Sequence, residues 1–97
     1  MPIFTLYILY SPSHTRTYVG QTENLQRRIK EHNQGKVRST KAYVPWEMIW
    51  SEEFMSRDDA LKSEKYYKSS AGRQKIKNIL DTEKSQVRSP RSADKAT

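Results

Sequence analysis

The sequence predicts one small α+β domain. Three observations carry that expectation. Two strand-like segments open the chain with turn residues between them, a third follows the middle, and helical periodicity fills the intervals. With 97 residues, 34% of them hydrophobic, there is material for one compact domain and hardly two. Six Tyr, two Trp and two Phe argue for a packed core despite a mean hydropathy of -0.99, and against disorder of the whole chain.

Residues Ile3 to Tyr10 are β-branched and aromatic on both faces, as expected of a strand buried on two sides or lying centrally in a small sheet. "SPSHT" supplies turn residues and "RTYVG" the returning strand. A hairpin centred on Pro12 and Ser13 sets Tyr7 opposite Tyr18. Thr22 is the expected N-cap of a helix from Glu23 to Gln34 that Gly35 ends. A basic loop, "KVRSTKAYVP", closes at Pro45. "WEMIWSEEF" is the third strand, with Trp46, Met48 and Trp50 on one face and Glu47, Ile49 and Ser51 on the other. Ser56 and Asp59 have capping-box spacing and open a second helix to about Ser69. A short basic helix around Gln74 to Leu80 completes a domain spanning 1–80. Residues 81–97, rich in Ser, Lys, Arg, Asp and Pro, are expected to form a disordered polar tail.

Composition excludes several classes. There is no cysteine, hence neither a disulfide framework nor a thiolate metal site, and the two histidines lie far apart in the chain. The run "IFTLYILY" is too short to span a bilayer and lacks the flanks of a signal peptide, which points to a cytoplasmic protein with no membrane association. The formal charge of +7 suits a polyanionic partner such as nucleic acid. That excess concentrates between residues 16 and 41, where seven basic groups (Arg16, Arg27, Arg28, Lys30, Lys36, Arg38, Lys41) meet two acids (Glu23, Glu31). Lys36, Arg38 and Lys41 of the basic loop, with Arg27 on the solvent side of the first helix, are the candidate nucleic-acid contacts.

Polar residues on faces meant for packing identify the candidate chemistry. On a helical wheel Ile29, His32 and Arg28 all fall within about 60° of Leu25, while Arg27, Lys30 and Glu31 lie opposite. In the second helix Glu64 shares a face with Ala60 and Tyr67, and with Ala71 if the helix runs on. An ionised carboxylate buried alone costs several kcal/mol, so Glu64 must be paired, protonated, metal-bound or at the edge of a cleft; pairing with Arg28 is the purely structural alternative. As chemistry, one carboxylate suits Mg²⁺, which keeps most of its waters and takes substrate phosphate oxygens. An arginine forks onto phosphate and offsets charge building on phosphorus. A tyrosine or histidine nearby accepts a proton from the attacking water. Metal-assisted phosphodiester hydrolysis fits this set best.

The residues Thr5-Leu6-Tyr7 and Tyr18-Val19-Gly20, followed by Arg28, His32, Asn33 and a later Glu64, resemble the GIY-YIG endonuclease family, over roughly residues 4–80 and most specifically in "YVGQTENLQRRIKEHNQGK" and "EEFMSRDDALKSEKYYK". The likeness is greatest to small stand-alone bacterial members, which resemble the N-terminal nuclease domain of the excision-repair endonuclease. It implies an α+β fold, a three-stranded antiparallel sheet flanked by helices. It also implies Mg²⁺- or Mn²⁺-dependent cleavage of DNA in repair or recombination, with branched or damaged DNA as partner and no small-molecule cofactor. By position it makes Glu64 the metal ligand, Arg28 the transition-state arginine, Tyr7 and Tyr18 the tyrosines near the attacking water, and His32 a catalytic or orienting group. Gly20 falls at the strand exit, where a Cβ would obstruct the backbone. Thr5 stands where the family has its first glycine, and Asn78 is not assigned to the family's later asparagine. The alternative is a non-catalytic nucleic-acid-binding module of the same fold, with Tyr43 and Trp46 stacking on unpaired bases. Oligomeric state is left open.

Overall fold

The computed structural model describes residues 2–88. In chain order they form β1 (Phe4–Ser11), β2 (Arg16–Thr22), α1 (Leu25–Asn33), a 3-10 turn (Lys41–Tyr43), β3 (Glu47–Phe54), α2 (Arg57–Lys68) and α3 (Ser70–Arg88). The sheet order is β2-β1-β3 and both pairings are antiparallel, so the fold is the expected α+β arrangement.

The apolar first strand takes the centre because only a central strand covered on both sides buries both of its faces. Leu6 and Ile8 point to one face and pack with Val19, Tyr67 and Ile76, under α2 and α3. Tyr7 and Leu9 point to the other and pack with Trp46, Tyr18, Leu25 and Ile29, under α1 and the 3-10 turn. Each such burial contributes about 1.5–3 kcal/mol, and a slip of one residue would turn both sets to the wrong layer.

The hairpin differs from the expected register by two residues. Ser11 pairs with Arg16 across a four-residue turn in which Thr15 takes a left-handed φ of 54°, and Tyr7 therefore faces Gly20 while Tyr18 faces Leu9. A two-residue shift keeps both tyrosines on the same side of the sheet, where they meet diagonally. Gly20 lies within β2 and makes no bend there. In β3 the expected alternation breaks at an irregularity: Trp50 pairs with Ile8 and Met48 with Leu9, leaving Ile49 between them. Trp46 and Trp50 consequently join opposite core layers.

Helix α1 starts two residues later than expected because Asn24, not Thr22, caps it; its side chain accepts from the Arg27 N–H at 3.1 Å, and Thr22 Oγ1 accepts from the Asn24 N–H. Gly35, at φ 77°, ends it as expected, with the Gly35 and Lys36 N–H groups bonded to the carbonyls of His32 and Glu31. Ser56 caps α2 through the Asp59 N–H. The third helix runs from Ser70 to Arg88, longer than the stretch from Gln74 to Leu80. Residues 81–88 of the anticipated tail thus continue a helix, and 89–97 lie outside the described residues. Ala71 belongs to α3 and is exposed, whereas its neighbour Gly72 is buried at the α2–α3 corner.

At that corner a Cβ on Gly72 would overlap the Tyr66 carbonyl and the Tyr67 Cα, backbone atoms that have no room to retreat. Alanine has a helix-propensity gain of about 1 kcal/mol over glycine, but overpacking against backbone costs about 1–3 kcal/mol or more and wins. Gly72→Ala is expected to lower the urea midpoint of unfolding without changing the slope of the transition.

Candidate active site

An aromatic cluster forms on the α1 side of the sheet from residues that three elements supply. Tyr7 comes from β1, Tyr18 from β2, and Arg28 and His32 from α1. The ring centroids of Tyr7 and Tyr18 are 6.2 Å apart, and His32 lies 5.7 Å from the first and 5.0 Å from the second. Gly20 has a specific reason to be glycine: a Cβ there would come within 2.7 Å of the Tyr7 hydroxyl and 2.9 Å of the Tyr18 ring. The obstruction is to these two side chains and not to the backbone.

His32 is fully buried, and both of its ring nitrogens are engaged. Nε2 is 2.9 Å from the Tyr7 hydroxyl and Nδ1 is 2.8 Å from Thr40 Oγ1. The Thr40 hydroxyl donates to the Val37 carbonyl at 3.4 Å. The assignment that leaves no buried donor idle has Nδ1–H donating to Thr40 and the Tyr7 O–H donating to Nε2. Burial, reinforced by the Arg28 charge, holds the His32 pKa below the usual imidazole value, so the ring is neutral at physiological pH. Burial likewise pushes the Tyr7 phenol up to about 12; Arg28 opposes that shift, and the neighbouring Tyr18 and Glu64 add to it. Charges on two separate helices are therefore felt at one hydroxyl.

Arg28 keeps 38% of its side chain exposed, pairs with Glu31 at 3.1 Å, and has its pKa raised first by the Tyr7 hydroxyl. Glu64 retains 21% and pairs with Lys68 at 2.7 Å, while Gln21 Nε2 donates to it at 3.3 Å. The Arg28–Glu64 pair weighed as a structural alternative is thus replaced by two local pairs, each within one helix. Glu64 stands beside the edge strand β2, on the opposite helix layer from His32. Among the described residues no three His, Cys, Asp or Glu side chains come together. A half-buried carboxylate already holding an ammonium fits a divalent cation bound by one protein ligand and completed by water and phosphate oxygens.

The candidate backbone contacts Lys36, Arg38 and Lys41 are all exposed along one loop, and Arg27 is 72% exposed on α1, 3.9 Å from Glu31. Trp46 is 5% exposed and packs edge-on against Tyr18 and Tyr43, so it does not serve as a base-stacking platform. Tyr43 is itself covered by Arg16 and His14. Asn78 lies on the exposed side of α3, accepting from Gln74.

The sequence reading missed Thr40 and gave Asn33 no role. Thr40, 1% exposed, holds His32, and its carbonyl accepts from Trp46 Nε1 at 3.0 Å. Asn33 clasps the Trp46 backbone, accepting from its N–H at 2.6 Å and donating to its carbonyl at 3.1 Å. Asn33 stood in the sequence among the residues of the family resemblance, without a function attached, and nothing local separates Thr40 from the polar loop around it.

A tyrosine pair spanning the central strand and its edge neighbour, a helix offering arginine and histidine, and a later helix offering one glutamate define a GIY-YIG domain. Residues 3–77 match the model of the GIY-YIG catalytic domain, and the chain belongs to that family. It is 41% identical over 81 residues to a UPF0213 protein of Limosilactobacillus reuteri, covering 80% of this chain and 83% of that one. A UPF0213 protein of Streptococcus agalactiae is 32% identical over 75 residues, covering 76% and 84%. The solution NMR structure of a UPF0213 protein from Bacillus halodurans is 28% identical, covers 80% and 83% of the two chains and superposes with a TM-score of 0.49.

The Thr40–His32 contact makes two measurable differences. Thr40→Val leaves Nδ1–H without a buried partner and is expected to cost about 1–3 kcal/mol in urea unfolding, while Thr40→Ser retains most of the stability. Because the folded His32 pKa lies below the unfolded value of about 6.5, the unfolded state binds more protons in that window. Stability is therefore lost as pH falls from about 6.5 towards the folded pKa, and His32→Gln should flatten that slope in a pH series of urea melts.

Proposed function

We propose that this chain is a divalent-metal-dependent endonuclease that hydrolyses DNA phosphodiester bonds, acting on repair or recombination intermediates. The observation that carries this reading is that Tyr7, Tyr18 and His32 pack into one cluster beneath Arg28, while Glu64, from the other helix layer, is bonded to Gln21 on the same edge strand that carries Tyr18. Family membership supports a nuclease role with DNA as substrate. Mg²⁺ or Mn²⁺ on Glu64 would supply Lewis-acid polarisation of the scissile phosphate and acidify the attacking water.

Exposure divides the labour among the side chains. Tyr7 and His32 are 1% and 0% exposed, so they position and do not touch substrate. Tyr18 is only half-buried, which makes it the phenol of the pair that meets the attacking water. Neutral His32 keeps the Tyr7 hydroxyl fixed as a donor and adds no second positive charge beside Arg28. The half-exposed Arg28 guanidinium reaches outward to offset charge on the pentacovalent phosphorus. Lys36, Arg38, Lys41 and Arg27 hold the flanking backbone. The binding-module alternative keeps its basic loop but loses one of its two stacking aromatics, since Trp46 is buried.

Glu64→Ala is expected to abolish Mg²⁺- or Mn²⁺-dependent nicking of supercoiled and branched DNA while circular dichroism stays that of the wild type. Arg28→Ala should slow the same reaction by about 10²–10³-fold, the range for losing one preorganised charge partner. Intact strands after titration of wild-type protein to excess over duplex, flap, fork and four-way junction with either metal would overturn the nuclease assignment.

A further inference from the structure

A cavity of about 290 Å³ lies outside the aromatic cluster, along the free edge of β2, the outer strand of the sheet. Thr17 and Tyr18 line it from the strand, and Lys68 and Arg73 from the two helices that meet at Ser69. Two side-chain cations and no carboxylate stand in its wall. Neither cation belongs to the basic loop, and the sequence reading gave neither a role.

The two cations are in different states. Among the described residues Arg73 forms no ion pair, whereas Lys68 Nζ is held 2.7 Å from Glu64 Oε2. Hydrogen bonds and close packing fix the corner that places them. The Ser69 hydroxyl donates to the Tyr66 carbonyl at 2.5 Å and accepts from the Gly72 N–H at 3.3 Å, and Gly72 lets α3 close onto α2 so that Arg73 comes round to the β2 side. Tyr18 takes part both in this wall and in the cluster with Tyr7 and His32, so the cavity adjoins that cluster.

We propose that this cavity is a phosphate subsite for a nucleic-acid strand, taking a phosphodiester beside the one presented to Tyr18 and Arg28. Arg73 is its resident cation, with a guanidinium fork that matches phosphate oxygens. Lys68 is its conditional cation. An i,i+4 ion pair with one partner 57% exposed is weak, so Lys68 would be released if Glu64 held a divalent ion, and its flexible stem would then reach the phosphate. Loading of Glu64 and grip on the strand are thereby coupled through one lysine. The coupling rests on the nuclease reading; the anion subsite itself does not.

The test is metal-free binding of a short fluorescein-labelled duplex in EDTA, followed by anisotropy over a salt series, with nicking measured separately. Each lost phosphate contact reduces the slope of log K against log salt by about 0.9. Arg73→Gln is expected to show that reduction, and Lys62→Gln, which removes the same charge on the far groove beside Tyr66, to keep the wild-type slope. Glu64→Gln frees Lys68 and should steepen the slope by about 0.9, a gain that disappears in the double variant Glu64→Gln/Lys68→Gln. Equal slopes for Arg73→Gln and wild type overturn the subsite, and a Glu64→Gln gain that survives loss of Lys68 overturns the coupling. If the slopes shift as expected but no strand is ever cut, the nuclease reading falls and the subsite stands. Normal nicking with unmoved slopes has the opposite meaning.

Discussion

The hydrogen bond between the Tyr7 hydroxyl and His32 Nε2, at 2.9 Å, joins the centre of the sheet to the helix that covers it. Both partners are buried, so each would leave a costly unsatisfied group if the other moved. Much else follows from keeping them together. Gly20 clears space for the phenol, Thr40 engages the opposite ring nitrogen, and Trp46 holds Thr40 through its carbonyl. Asn33, next to His32, then ties the Trp46 backbone to the end of α1. The basic loop is anchored by this chain of contacts, with Thr40 buried between the exposed Arg38 and Lys41.

Polar groups in so small a core have an energetic logic. Tyr7 and His32 occupy positions where two leucines would bury more apolar surface, and their hydrogen bonds return only a modest net stability. What they provide is geometry. A tyrosine held by a neutral imidazole is fixed in one orientation beside Arg28, and the burial that holds it also keeps its proton in place. The catalytic reading uses this rigidity without asking either buried group to leave its site.

The two sides of the sheet carry different responsibilities. The α1 side holds the aromatic cluster and the arginine, and the α2–α3 side brings Glu64, Lys68 and Arg73 to the free edge of β2. Edge strand β2 is where they meet, with Tyr18 contributing to both. Away from this edge Glu52 accepts hydrogen bonds from Tyr67, Trp50 and Ser63; burial raises its pKa, the three donors lower it further than that, and the carboxylate stays ionised. That cluster secures β3 to α2.

The sequence by itself determined the element types, the central place of the first strand, the caps at Ser56 and Gly35, and the separation of Arg28 from Arg27. Each of these depends on local propensity or on a period of 2 or 3.6 residues, which neighbours along the chain settle. Only the tertiary structure decided the hairpin register, the irregularity in β3 that sends Trp46 and Trp50 to opposite layers, and the length of α3. It alone assigned Thr40 to His32, Asn33 to Trp46, and Lys68 rather than Arg28 to Glu64. The physical reason is common to all of them. A wheel or a strand period gives the direction in which a side chain leaves its own element, but its partner depends on turn geometry and on how helices dock across a sheet.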